Sequence, residues 1–263
     1  MSSAPSTSDD DRRARAWHTA LRAVAVVNVV AFVVVASRVG GATDYTAAQI
    51  SCSGIFVAVC AYRSWFPMVY APGFALVDAW PSNVFLTRVA ATVAELCLIA
   101  QLAWLLHALG EAAGSGVAML ASSAMLPLVA AAQVCCWYGV ATRRSVGELC
   151  EESLWTLALA IAFAGFVHLA WVGGLRPTVA VGLVGIGVYL GFMTLSALPM
   201  YAERTRDERS GSEALGLTEG LRDMAERRVL TTRWRDWAPE MAWMSLYFGP
   251  WVWLSITMIA VEP

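Results

Sequence analysis

Repetition is the feature that most constrains this chain. Seven times the sequence runs apolar for about 20 residues, the length that crosses roughly 30 Å of bilayer hydrocarbon as a helix. These stretches lie at about 19–37, 46–63, 84–108, 116–140, 149–172, 177–200 and 239–261. The second is weakened at its start by Gln49, Ser51 and Ser53, and Pro127 marks an expected kink in the fourth.

The charges point the same way. The chain is 58% hydrophobic and 14% charged, against about 25% charged in a soluble domain. Most charges lie before Arg22 or between Glu203 and Glu240. A soluble chain needs them along its whole length. The expected fold is therefore all-α, a polytopic membrane helix bundle of seven transmembrane helices.

Arginine placement sets the expected orientation. With the N-terminus inside, the inner segments carry Arg12, Arg13, Arg15, Arg22, Arg63, Arg143, Arg144 and the eight arginines between Arg204 and Arg235. The outer loops then carry only Arg38 and Arg176, as the positive-inside rule requires. The C-terminus falls outside. The expected organisation is a disordered cytoplasmic tail (1–16), six helices (17–200), a charged cytoplasmic loop (201–238) and a last span (239–263). The first apolar run is too long for a signal-peptide core and reads as an uncleaved anchor. Within the charged loop, 213–230 reads as an amphipathic helix on the inner membrane surface or as a solvated linker helix of mixed charge, with Leu217, Leu221, Met224 and Arg228 at helical spacing and Gly216 and Gly220 weakening it. Arg233, Trp234, Arg235 and Trp237 read as an interfacial anchor. The Pro-punctuated segment Pro67 to Asn83 is too broken to span and reads as a short interfacial or re-entrant element.

Several function classes drop out. The net charge is −2 and no basic face suggests nucleic acid. All 18 basic residues are arginine, so no lysine is present to form a Schiff base with retinal or pyridoxal. An inside N-terminus argues against a G-protein-coupled receptor. The six cysteines form no C-x-x-C pair, and no H-x-x-x-H, H-E-x-x-H, nucleotide-binding loop or G-x-S-x-G elbow occurs, so no metal site is expected.

The third span carries the most informative polar residues. Arg88, Thr92 and Glu95 share one helical face. A charge in the membrane costs roughly 2.5–3.5 kcal/mol on insertion scales, so each calls for a partner or a wet cavity. Arg88 and Glu95 are about 10 Å apart along the axis, which argues against a direct pair. Glu151 and Glu152, in the first turn of the fifth span, are the expected partners of Arg88. Glu95 would then sit without a basic partner, as a proton site or a neutral acid. His107 and His168 fall at similar depth near the outer face and form a weak candidate pair of haem ligands. Gly187 and Gly191 form a small-residue packing motif.

These residues favour binding or transport of a small or lipophilic molecule, or of a proton, through a bundle with Arg88 and Glu95 as its polar centre. Two alternatives stand beside it. One is a membrane-embedded enzyme acting on a lipid, quinone or pigment, using Glu95 with Glu151 or Glu152, or haem. The other is a non-catalytic subunit of a membrane complex.

Overall fold

The structure, a computed structural model, describes residues 7–39, 43–208 and 214–261. The start of the expected tail (1–6), Arg209, Glu213 and the last two residues of the expected final span lie outside the described residues. The chain folds into helices α1 (Thr7–Val39), α2 (Asp44–Trp65), α3 (Val84–Ala113), α4 (Gly116–Thr142), α5 (Ser145–Gly173), α6 (Pro177–Phe192), α7 (Leu198–Glu208), α8 (Leu217–Glu226), α9 (Trp234–Phe248) and α10 (Pro250–Ile259). Strands β1 (Met68–Val69), β2 (Phe74–Ala75) and β3 (Val229–Leu230) complete it. A π-helical turn, Met193–Ala197, joins α6 to α7 in one rod. Among the described residues six helices are long and apolar enough to cross a membrane: α1 to α5 and the rod Pro177–Glu208. They suggest an integral multi-pass membrane protein.

The seventh apolar stretch is not one helix. Gly249 and Pro250 divide it into α9, 15 residues, and α10, 10 residues. Proline supplies no N–H to continue α9 and is pre-set to start a new helix. At 1.5 Å per residue, α10 is about 15 Å long, half a bilayer core.

Two compact units are present. The first draws on Met1–Glu95 and Asp223–Ala260, the second on Leu96–Arg222 and Val261–Pro263. In the first, α1 packs on α2, α9 and α10 through Ala14, Trp17, Leu21, Ala25 and Asn28, a helical stripe that is buried throughout. α1 begins at Thr7, inside the segment expected to be a tail. Asp9 and Asp10 in its first turn suit the helix dipole, and Arg12 pairs with Asp9 at 2.7 Å. Trp17 stacks against Trp237 and donates its indole N–H to Ser245. Trp237 is fully buried and donates to the Thr231 carbonyl, so it is a core residue and not an interfacial anchor. His18 is buried with Nε2 at 3.2 Å from the Trp65 carbonyl.

The broken segment after α2 forms a hairpin, with β1 antiparallel to β2 around Gly73 (φ 68°). β3, from the charged loop, adds in parallel to β2. Arg228 fixes the junction, pairing with Asp78 at 3.0 Å and donating to the Ala79 carbonyl at 2.8 Å.

In the second unit α4 and α5 form an antiparallel hairpin closed by Arg143 in the left-handed region (φ 55°). Gly139 and Gly147 face each other there. A Cβ on Gly147 would lie 2.5 Å from the Gly139 nitrogen and 2.7 Å from the Cys135 carbonyl. Where lipid replaces water, such close backbone approach is what holds helices together. Gly191 borders no atom within 4 Å and Gly187 meets only the Phe163 ring at 3.5 Å, so the close contact lies at Gly139 and Gly147 instead. Glu208 bonds the Ser145 amide at 2.7 Å and the Ser145 hydroxyl, capping α5. The expected amphipathic helix is shorter than 213–230. It has Met224 buried and Leu217 and Leu221 exposed, and Gly220 lets it lie directly against the Ala141 carbonyl.

Candidate functional site

The first unit encloses a charged centre. On α2, Gln49, Ser53, Phe56, Cys60 and Arg63 recur at alternating spacings of four and three, and all are buried. This stripe turns the α2 polar residues inward, with Ser53 meeting Ser255 of α10 at 3.0 Å. Asn28 of α1 donates to the Phe248 carbonyl at 2.7 Å, where α9 ends and its last carbonyls lack helical partners.

Arg63 ends the stripe, 6% exposed. Its guanidinium carbon lies 5.3 Å from the ring centres of Tyr247 and Phe248 and 5.7 Å from that of Tyr70. An aromatic box of this kind offsets the cost of burying a weakly hydrated guanidinium. Tyr70, just after β1, is shared: Arg88 lies 5.7 Å from the same ring.

Arg88 donates from Nη2 to Glu95 Oε2 at 2.9 Å, with the side chains 4% and 13% exposed. This corrects the expectation that the two are too far apart to pair. The rise of about 10 Å between the two Cα atoms is spanned by the side chains themselves, as Arg88 extends forward and Glu95 back along the face they share. Glu95 therefore has a basic partner. It also feels the charge of Arg63 and lies within electrostatic reach of the Tyr247 hydroxyl. Among the described residues the centre brings the guanidinium groups of Arg63 and Arg88 to the Glu95 carboxylate. The Tyr247 hydroxyl is buried there with no hydrogen-bond partner among the described residues.

The other candidates belong to the second unit. Glu151 is buried and Glu152 half-buried on the first turns of α5. Together with Glu148 they surround Tyr201 of α7, whose hydroxyl senses all three carboxylates. His107 has Nδ1 at 3.2 Å from the Ser122 hydroxyl and Nε2 at 3.6 Å from Glu111. His168 has Nδ1 at 2.7 Å from the hydroxyl of Ser115, which also caps α4. Each histidine thus has its own serine. Among the described residues no three His, Cys, Asp or Glu side chains gather as a metal site requires.

Sequence reasoning placed Arg88 and Glu95 but counted Arg63 only as a loop charge, and it passed over Tyr70 and Tyr247. The signal for Arg63 was present, since it falls in register with Gln49, Ser53 and Cys60. Nothing local marks Tyr247, which lies 184 residues beyond Arg63 in the chain. The chain matches no known family model, no curated protein and no solved structure.

Proposed function

We propose that the chain is a seven-span membrane protein, N-terminus inside, that binds or carries a small lipophilic molecule bearing an acidic group. The observation behind this reading is the convergence of Arg63 and Arg88 on Glu95 inside helices built for lipid. Intramembrane ionisable groups are costly to keep, and a site holding two guanidinium groups against one carboxylate favours an anion. The acid of the ligand competes with the Glu95 carboxylate for the Arg88 guanidinium. The broken last span supports a ligand path, because interrupted helices are tolerated at membrane depth where they line protein or a cavity.

The test is calorimetric titration of the purified protein in mild detergent with benzenesulfonate, an anion at all working pH values. Saturable binding that disappears in Arg88→Gln is expected. Absence of saturable binding, or binding indifferent to Arg88→Gln, would overturn the proposal.

A non-catalytic subunit is the second reading. It is favoured by the mutual satisfaction of Arg88 and Glu95, which as a lock needs no ligand. In that case Arg88→Gln loses stability and benzenesulfonate shows no saturable binding to either protein.

A further inference from the structure

The first unit carries a second feature that the charged centre does not use. Ala25, Val26, Val29 and Val30 of α1, with Ala61 and Trp65 of α2, line an apolar groove of about 170 Å³. Arg22 sits one helical turn before Ala25 and Val26, on the same face of α1. Its guanidinium carbon lies 4.8 Å over the ring of Trp65, which is itself a wall of the groove. The Arg22 Nε is buried and has no hydrogen-bond partner among the described residues. A buried donor left unmade costs about 1–3 kcal/mol. Among the described residues no carboxylate pairs with Arg22. His18, one turn earlier, is held at the Trp65 carbonyl, and Asp11 is engaged by Arg15 and Thr232.

We propose that this is a binding site for an anionic phospholipid, with the phosphate on Arg22 and one acyl chain in the groove. The two halves of the site match the two halves of that ligand in order. Polar contact comes first along α1, then about 12 Å of apolar wall from Arg22 to Val30. A free phosphate has no use for the groove, and a zwitterionic headgroup brings a cation against Arg22. The inference concerns residues outside the Arg63, Arg88 and Glu95 centre and does not rest on the function proposed for it.

The experiment is native mass spectrometry of delipidated protein. It is incubated with equal amounts of phosphatidylglycerol and phosphatidylcholine carrying identical acyl chains. Wild-type protein is expected to retain phosphatidylglycerol roughly tenfold over phosphatidylcholine, the ratio that one charge-assisted hydrogen bond supplies. In Arg22→Gln the two lipids are retained equally. In Ala61→Leu, which keeps the charge and fills the groove, retention of both falls. Glu95→Gln keeps the wild-type preference, whatever becomes of benzenesulfonate binding. Equal retention by wild-type protein, an unchanged preference in Arg22→Gln, or unchanged retention in Ala61→Leu would each overturn the proposal. The Ala61→Leu arm carries the test if Arg22→Gln does not fold.

Discussion

The Arg88 guanidinium reaches the Glu95 carboxylate at 2.9 Å across two turns of the same helix. The pair is thus built into α3. Both side chains are largely withdrawn from solvent. Removing one partner leaves the other buried and uncompensated, which costs about 3–5 kcal/mol. Arg88→Met and Glu95→Leu are each expected to destabilise the protein by roughly this amount, and the double variant to recover most of it. Equilibrium unfolding in mixed micelles checks this. Additive losses would show that the two residues act separately.

Arg63 depends on ring faces. A lysine keeps the charge but loses the planar group that lies against Tyr247, Phe248 and Tyr70. Arg63→Lys is expected to cost about 2 kcal/mol, the scale of a desolvated cation–π contact. In the same unfolding assay, Arg63→Met and Tyr247→Leu should be non-additive, because each removes half of one contact.

The α4–α5 hairpin supplies a packing prediction. Gly147→Ala places a methyl group against backbone atoms of Gly139 and Cys135, which have no rotamer to escape into. A loss of about 1–3 kcal/mol is expected. Gly191→Ala meets open space and is expected to be neutral or slightly stabilising, since alanine is the better helix former by about 0.5–1 kcal/mol. Thermal unfolding midpoints of the two variants give the comparison.

Orientation and span number are tested by single cysteines in a cysteine-free background, labelled on intact cells with an impermeant maleimide. Arg176→Cys is expected to label and Arg144→Cys to remain protected. Val261→Cys labels if α9 and α10 cross together and remains protected if they turn back.

Much of this architecture is legible in the sequence, because apolar runs of bilayer length require helices. The six long helices follow from that rule. The last stretch reads as one span by its length, although the adjacent Gly249 and Pro250 mark where it divides. The face shared by Arg88 and Glu95 follows from their seven-residue spacing, but rise per residue alone ignores the reach of two long side chains extended toward each other, which makes the pair. The small sheet was beyond reach. Its strands are two residues long, and β2 meets β3 more than 150 positions later, with no hydrophobic alternation for so short a run to display. The Gly139–Gly147 contact was hidden for a related reason. A glycine matters only if another backbone faces it, and Gly187 and Gly191 carry the more familiar spacing without such a neighbour.

The most direct test of the proposed function is the affinity of benzenesulfonate for wild-type protein and for Glu95→Gln. Glu95 is the carboxylate that the sulfonate displaces from Arg88. Glu95→Gln removes the competing charge and keeps the guanidinium, so it is expected to bind benzenesulfonate more tightly than wild-type protein does. Equal or weaker binding by a folded Glu95→Gln protein would contradict the exchange of Glu95 for a ligand anion on Arg88.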